Sequence, residues 1–299
     1  MEIMSRASEL DKLGHDVIHL EVGEPDFNTP APIMDAAKRG LKLGVTKYTD
    51  AKGNIELRQA ISNYYTDYFD IEVETDRIFV TAGASGGLLL LMALLINGGE
   101  NLLMADPGYP CNRHLLASFG GEAKLVPVSA AANYQLDSQA INDFWDNKTR
   151  GILVASPANP TGSVLRVDDL RSLYEKVRER GGFLLSDEIY QGLHYGEAPS
   201  HSALSVSENV FVVNSFSKYF GMTGWRLGWV VVPEAVSIDL EKLAQNLFIC
   251  PSAIAQYAAM EAFSASALET MELQRSEFVR RRNFLVPALR KLGFDIPLD

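Results

Sequence analysis

The feature that most constrains this chain is a regular alternation. Short apolar runs rich in Val, Ile and Phe are each followed by a longer amphipathic run. The short runs are Ile78–Thr81, Asn101–Ala105, Ala123–Val128, Gly151–Ala155, Phe183–Ser186, Val210–Asn214 and Leu227–Val232. Between and after them, Ala84–Ile96, Cys111–Phe119, Asp137–Asn147, Val167–Arg180 and Pro251–Phe263 read as helices. Such a chain folds as an α/β sheet, largely parallel and covered by helices on both faces. Ligands in these sheets collect outside the carboxyl ends of the strands. Functional residues are therefore expected just after the apolar runs.

Both ends depart from this rhythm. Residues 1–31 open with a helical stretch and close on the turn-rich VGEPDFNTPAP. Ala267–Leu292 is a long charged helical pattern containing Arg280, Arg281 and Arg282. Three consecutive arginines are either an anion site or, more commonly, the solvated face of a helix. The final GFDIPLD reads as the beginning of another strand.

Composition removes several functions. Lys and Arg total 27 against 38 Asp and Glu, a formal charge of −11, whereas a nucleic-acid platform needs a basic face. The longest apolar run, Leu88–Ile96, falls short of the roughly 20 residues of a membrane helix. MEIMSRASELDK is too polar for a secretion signal. With only Cys111 and Cys250, no disulfide framework is expected and a reducing, cytoplasmic compartment is. His15, His19, His114, His194 and His201 show no metal-ligand spacing.

Five segments carry chemistry, and all follow apolar runs. In SFSKYFGMTGWRLGW, Lys218 is flanked by Phe216, Tyr219 and Phe220. Desolvation would lower its pKa and free the amine as a nucleophile, unless it is a loop lysine with its charge in water. Ser215, Ser217 and Arg226 offer anion-binding groups nearby. In LLSDEIYQG, Asp187 at a buried strand end needs a cationic or protonated partner, or it caps a helix; Tyr190 lies three residues on. In ASPANPTGSVL, two prolines and Gly162 specify a rigid turn that can present Asn159 to a ligand. In VTAGASGGLLLLMALL, small residues including Gly83, Ala84 and Ser85 lead into a helix N-terminus suited to phosphate. In DPGYPCN, Tyr109 can stack on a planar ligand. Each segment alone also reads as plain structure. Together they supply a phosphate cradle, a stacking ring, a carboxylate, a hydroxyl donor and a reactive lysine, the set that pyridoxal phosphate requires.

SFSKYFGMTGWRLGW, SDEIY and NPTG, in this order and spacing, resemble the class I/II aminotransferases, the aspartate aminotransferase-like group of fold type I pyridoxal-phosphate enzymes. The resemblance runs from VGEPDF to near residue 290. It implies a three-layer α/β/α large domain with a mostly parallel, mixed sheet over 32–266. It assigns 1–31 to an N-terminal arm of the small domain, and 267–299 to the interdomain helix and the start of a truncated C-terminal small domain.

The resemblance also implies roles. Lys218 matches the Schiff-base lysine and Asp187 the partner of the pyridinium nitrogen. Tyr190 and Asn159 match the groups on the phenolic oxygen. Ala84, Ser85, Ser215 and Arg226 match the phosphate ligands, with Ser217 a further candidate. Tyr109 sits where the family stacks an aromatic on the ring. Tyr48, in YTDAKGNIELR, matches a tyrosine that reaches the phosphate of a neighbouring subunit, which implies a homodimer. Gly23 matches a glycine near the substrate, where Asn159 also lies. The implied reaction moves an amino group from an L-amino acid to a 2-oxo acid, with ping-pong kinetics. The family's carboxylate-binding arginine belongs to a C-terminal stretch that these 299 residues do not contain. Weak or absent transamination is therefore expected of them, and Arg275, Arg280, Arg281 and Arg282 are not expected to replace that arginine. A β-lyase or another Cα-carbanion enzyme on the same fold, or a cofactor-binding chain without turnover, are the alternatives.

Overall fold

The computed structural model describes residues 2–20, 22–195 and 201–297. Its centre is a seven-stranded sheet in the order β1-β7-β6-β5-β4-β2-β3. The strands are β1 (Ile78–Thr81), β2 (Asn101–Asp106), β3 (Glu122–Pro127), β4 (Thr149–Ala155), β5 (Phe183–Asp187), β6 (Phe211–Ser215) and β7 (Gly228–Val231). All seven apolar runs form strands, within one or two residues of the expected ends. Only β7 is reversed, pairing antiparallel with both β6 and β1, while β2 to β6 pair in parallel. The sheet is therefore mixed. The amino end of β7 shares one edge with the carboxyl ends of the other six strands. That edge gathers every chemistry-bearing segment.

Apart from the edge strand β3, the strands are largely buried on both faces, so successive side chains enter different cores. On β6, Val212 joins one apolar cluster and Val213 the other; on β7, Trp229 and Val231 face opposite to Val230. One cluster is closed by Leu57 and Ile61 of α3 (Ile55–Phe69) and by Leu173 and Val177 of α7 (Val167–Glu179). The other is closed by Leu88 and Leu91 of α4 (Gly83–Leu95), Leu116 of α5 (Pro110–Ala117) and Leu240 of α8 (Glu234–Phe248). The result is three layers, helix–sheet–helix.

Three helices lie outside the sequence reading. They are α2 (Ala31–Leu43), α3 and α8. The signals for two are visible in hindsight. Pro32 at the start and Gly44 at φ 73° bracket α2, and Asn54 caps α3 by accepting from the backbone N–H groups of Glu56 and Leu57. The expected helices form, as α4, α5, α6 (Ser138–Phe144), α7, α9 (Ala253–Met260) and α10 (Ala265–Lys291). In α10 only Ala267 and Met271 are buried, so its first turns rest on the core and the rest extends away. The N-terminal stretch forms α1 (Glu2–Lys12) with no buried residue. The strand expected at 293–299 does not form over its described part, 293–297, where no neighbouring strand takes up its backbone N–H and C=O groups. Its last two residues lie outside the described residues.

Candidate active site

The site grows from the loop that follows β6. Phe216 and Phe220 are buried against Trp229 and Phe263, with ring centroids 4.9 to 6.2 Å apart. These anchors fix Lys218 between them, half-buried. Its Nζ donates to the Gly23 carbonyl at 2.7 Å and lies 5.5 Å from the Tyr190 ring centroid. Burial lowers the Lys218 pKa; the Glu24 carboxylate opposes that shift and the Arg226 guanidinium adds to it. The amine is thus shifted toward the neutral, nucleophilic form.

Asp187 ends β5 and is 5% exposed. Its Oδ1 accepts from the Ile189 N–H at 3.2 Å, closing a tight turn rather than capping a helix. No cation pairs with it among the described residues, and burial pushes its carboxyl up to about 6. A buried carboxylate in this state suits a ligand that brings its own positive charge. Beyond it, the Tyr190 hydroxyl accepts from Asn159 Nδ2 at 3.3 Å. Burial raises the Tyr190 pKa, the Asp187 charge adds to the rise, and Asn159 opposes it. Tyr109 immediately precedes α5 and is 40% exposed. Its phenol is pushed up to about 12 by a hydrogen bond with Cys111, then by burial, with the charges of Tyr190 and Asp187 adding. Tyr109 and Asn159 line one cavity, and Tyr190 adjoins it through its hydrogen bond with Asn159.

Arg226, whose charge acts on Lys218, belongs to an anion cradle. No side chain caps the N-terminus of α4, so its first N–H groups, including those of Ala84 and Ser85, are free to bind an anion. Arg226, itself at φ 52°, holds its guanidinium against Gly83 and donates to the Thr223 carbonyl at 3.1 Å. A Cβ on Gly83 would fall 2.6 Å from Arg226 Nη2, and one on Gly228 would fall 2.8 Å from the Ala84 nitrogen. Both glycines are what let the arginine and the strand approach the helix end. No carboxylate pairs with Arg226 among the described residues, so its planar fork is free for a phosphate. Ser215 and Ser217 are buried beside it, with the Ser217 N–H donating to Ser215 Oγ at 3.0 Å. The combination of an anion cradle, a carboxylate lacking a cation, a hydroxyl–amide pair and a desolvated lysine fits a phosphorylated, protonated heterocycle that carries a carbonyl.

Tyr48 does not join this cluster. It is 80% exposed on the loop between α2 and α3. The expectation of a solvated arginine face also needs refining, because Arg281 pairs through both oxygens of Asp26, at 2.9 and 3.0 Å, and stacks on Phe27 and Phe278. Phe27 meets Phe278 edge to face at 5.2 Å. Arg281 thereby ties the GEPDF segment to α10, holding Gly23 over Lys218. Arg275 and Arg280 pair with Glu272 and Glu277. Two residues escaped the sequence reading. Glu24, whose carboxylate accepts from the Thr223 hydroxyl, acts on Lys218 across 194 positions of sequence. Glu188, 1% exposed, accepts from Ser186 Oγ and the Ala203 N–H and braces the strand end that carries Asp187. Neither has a local signal beyond its charge.

Comparison with known proteins agrees with this geometry. Residues 15–298 match the aminotransferase class I and II family. The chain is 38% identical to a (5-formylfuran-3-yl)methyl phosphate transaminase of Methanocaldococcus jannaschii, over 99% of this chain and 77% of that protein. It is 38% identical to a valine–pyruvate aminotransferase of Mycobacterium tuberculosis, over 99% of this chain and 76% of that one. A crystal structure of an aminotransferase from Mycobacterium tuberculosis superposes with a TM-score of 0.95 at 38% identity, covering 99% of this chain and 76% of that one. A match of this extent, on a site with this chemistry, shows that the chain belongs to the class I and II aminotransferases.

Proposed function

We propose that the chain is a pyridoxal-phosphate-dependent aminotransferase that moves an amino group from an L-amino acid to a 2-oxo acid, with Lys218 as the Schiff-base residue. The observation that carries this reading is Lys218 itself, desolvated, with its Nζ over the ring of Tyr190, the tyrosine that also feels Asp187, a buried carboxylate that lacks a cation. The relatives are aminotransferases, and no observation favours a lyase. When bound, the cofactor supplies an electron-accepting ring for the charge left at the substrate Cα.

The residues of this chain do the rest. Ala84, Ser85, Ser215, Ser217 and Arg226 hold the phosphate, and Tyr109 covers one face of the ring. Asp187 keeps a proton on the ring nitrogen, since a buried carboxylate is stabilised by a cation beside it. Tyr190 and Asn159 hold the phenolic oxygen, and Asn159 with the Gly23 backbone borders the substrate. Lys218 Nζ, whose pKa burial lowers, takes the proton from the substrate Cα as general base. Tyr48 serves the neighbouring subunit of a homodimer. Its loop is tied to the end of α8 by the Thr49 N–H on Cys250 Sγ, beside exposed Phe248 and Ile249. Residues 32–266 form the cofactor domain, and 1–31 with 267–299 belong to the second. Two free thiols suit a reducing compartment such as the cytoplasm. Borohydride reduction of the cofactor-loaded protein, followed by peptide mapping, tests the central assignment. The label is expected on Lys218, and a label on any other lysine refutes it.

A further inference from the structure

Arg226 sits in a backbone state that favours glycine. Its φ of 52° is left-handed, where a Cβ crowds the carbonyl that follows. Such a residue persists only where its surroundings fix it from both sides. On the C-terminal side, Leu227 is fully buried, and its carbonyl accepts from the Phe216 N–H at 3.1 Å and from Ser215 Oγ at 3.3 Å. On the N-terminal side, Thr223–Trp225 makes a single 3-10 turn with no side-chain cap. Its internal hold is weak, since the Trp225 N–H reaches the Met222 carbonyl at 3.3 Å.

A residue from the other end of the chain strengthens that side. Thr29 Oγ1 donates to the Gly221 carbonyl at 2.7 Å and accepts from the Trp225 indole N–H at 3.0 Å. One hydroxyl thus grips the backbone ahead of the turn and the side chain next to Arg226, from 192 and 196 positions away in sequence. The fit is close: a Cβ on Gly221, itself at φ 64°, would fall 3.3 Å from Pro30 Cδ. Behind this segment, Gln274 Nε2 of α10 donates to the Asn28 carbonyl at 3.5 Å. Glu24 meets the same turn through the Thr223 hydroxyl.

We propose that Thr29 is the positioning residue for Arg226. Its hydroxyl locks Gly221 and Trp225 in the arrangement that brings the arginine fork to the first N–H groups of α4, and it thereby sets the affinity for a phosphate monoester. The inference rests on reading this cradle as the phosphate site of the cofactor. Thr29 acts through the loop and on no reacting atom. Without the hydroxyl the loop gains other arrangements, and the apparent affinity falls by the fraction of molecules in which Arg226 is in place.

Thr29→Val keeps the shape and loses both hydrogen bonds, whereas Thr29→Ser keeps the hydroxyl. The first measurement titrates inorganic phosphate into the cofactor-free protein, followed by phosphorus NMR. Thr29→Val is expected to bind about tenfold more weakly, the equivalent of one to two ordinary hydrogen bonds, and Thr29→Ser within about twofold of wild type. The second compares pyridoxal phosphate with pyridoxal by absorbance. Thr29→Val should weaken the first by about tenfold and leave the second, which has no phosphate, within about twofold. Added to Arg226→Ala, Thr29→Val should cost no further phosphate affinity, because no arginine remains to be positioned. Trp225→Phe, which removes only the indole N–H, should weaken phosphate and spare pyridoxal in the same way, and it replaces Thr29→Val if that variant does not fold. Phosphate affinity indifferent to Thr29→Val, equal losses for pyridoxal and pyridoxal phosphate, or an additive loss in the double variant overturns the role. A borohydride label away from Lys218 counts against the aminotransferase reading instead, and the inorganic phosphate titration then decides the role of Thr29 alone.

Discussion

Asp187→Asn should make the cofactor-free protein more stable at neutral pH while removing its function. Asp187 is 5% exposed, paired with no cation, and its carboxyl is pushed from 3.8 up to about 6 by burial. One pKa unit is worth about 1.4 kcal/mol. The ionised carboxylate therefore costs the empty fold about 3 kcal/mol. A raised carboxyl pKa means that the native state keeps its proton longer than the unfolded chain does. Stability from this group falls as pH rises between about 4 and 6, and the cost is complete above that window. Asparagine keeps the shape and still accepts the Ile189 N–H, but carries no charge. Urea unfolding of wild type and variant, both without cofactor, should show the variant about 3 kcal/mol more stable at pH 8, with the gap closing near pH 4. With cofactor the order should reverse, because a cation beside Asp187 turns the penalty into an attraction. A variant no more stable than wild type at pH 8, or a gap unchanged by pH, would refute the argument that Asp187 is held in strain for a cationic ligand.

Arg226→Lys should weaken cofactor binding by about 2 kcal/mol, roughly thirtyfold, because a point charge replaces two directed donors to the phosphate. Spectrophotometric titration measures it, and unchanged affinity would remove Arg226 from the cradle. Phe216→Ala should cost about 3–5 kcal/mol in urea unfolding, since Phe216 is fully buried among Phe220, Trp229 and Phe263. A loss under about 1 kcal/mol would show that this aromatic cluster does not anchor the Lys218 loop.

Much of the site was legible because it is local. Lys218, Asp187, Asn159, Ala84 and Tyr109 each follow an apolar run by a few residues, and the carboxyl-edge rule places all of them on one side of a sheet. The helices α2 and α8 lack a clear apolar stripe, because their buried faces are built partly from small residues such as Ala36, Ala37 and Ala244, whereas α3 buries Leu57, Ile61, Tyr64 and Tyr65. The reading of the arginine triplet was incomplete, because Arg281 finds its partner, Asp26, at a separation of 255 residues.

The sequence by itself determined the α/β class, the seven strands, the order of the chemical groups and the family. Periodicity and spacing are one-dimensional properties, and neighbours along the chain are enough to express them. Only the tertiary structure decided that β7 runs backwards, which brings Arg226 to the helix end carrying Ala84 and Ser85. It alone set Gly23 and Glu24 over Lys218, left Asp187 buried without a cation, and joined Thr29 to the loop that carries Arg226. Desolvation and charge pairing depend on which distant segments pack together, and those determine what an amine or a carboxylate can do.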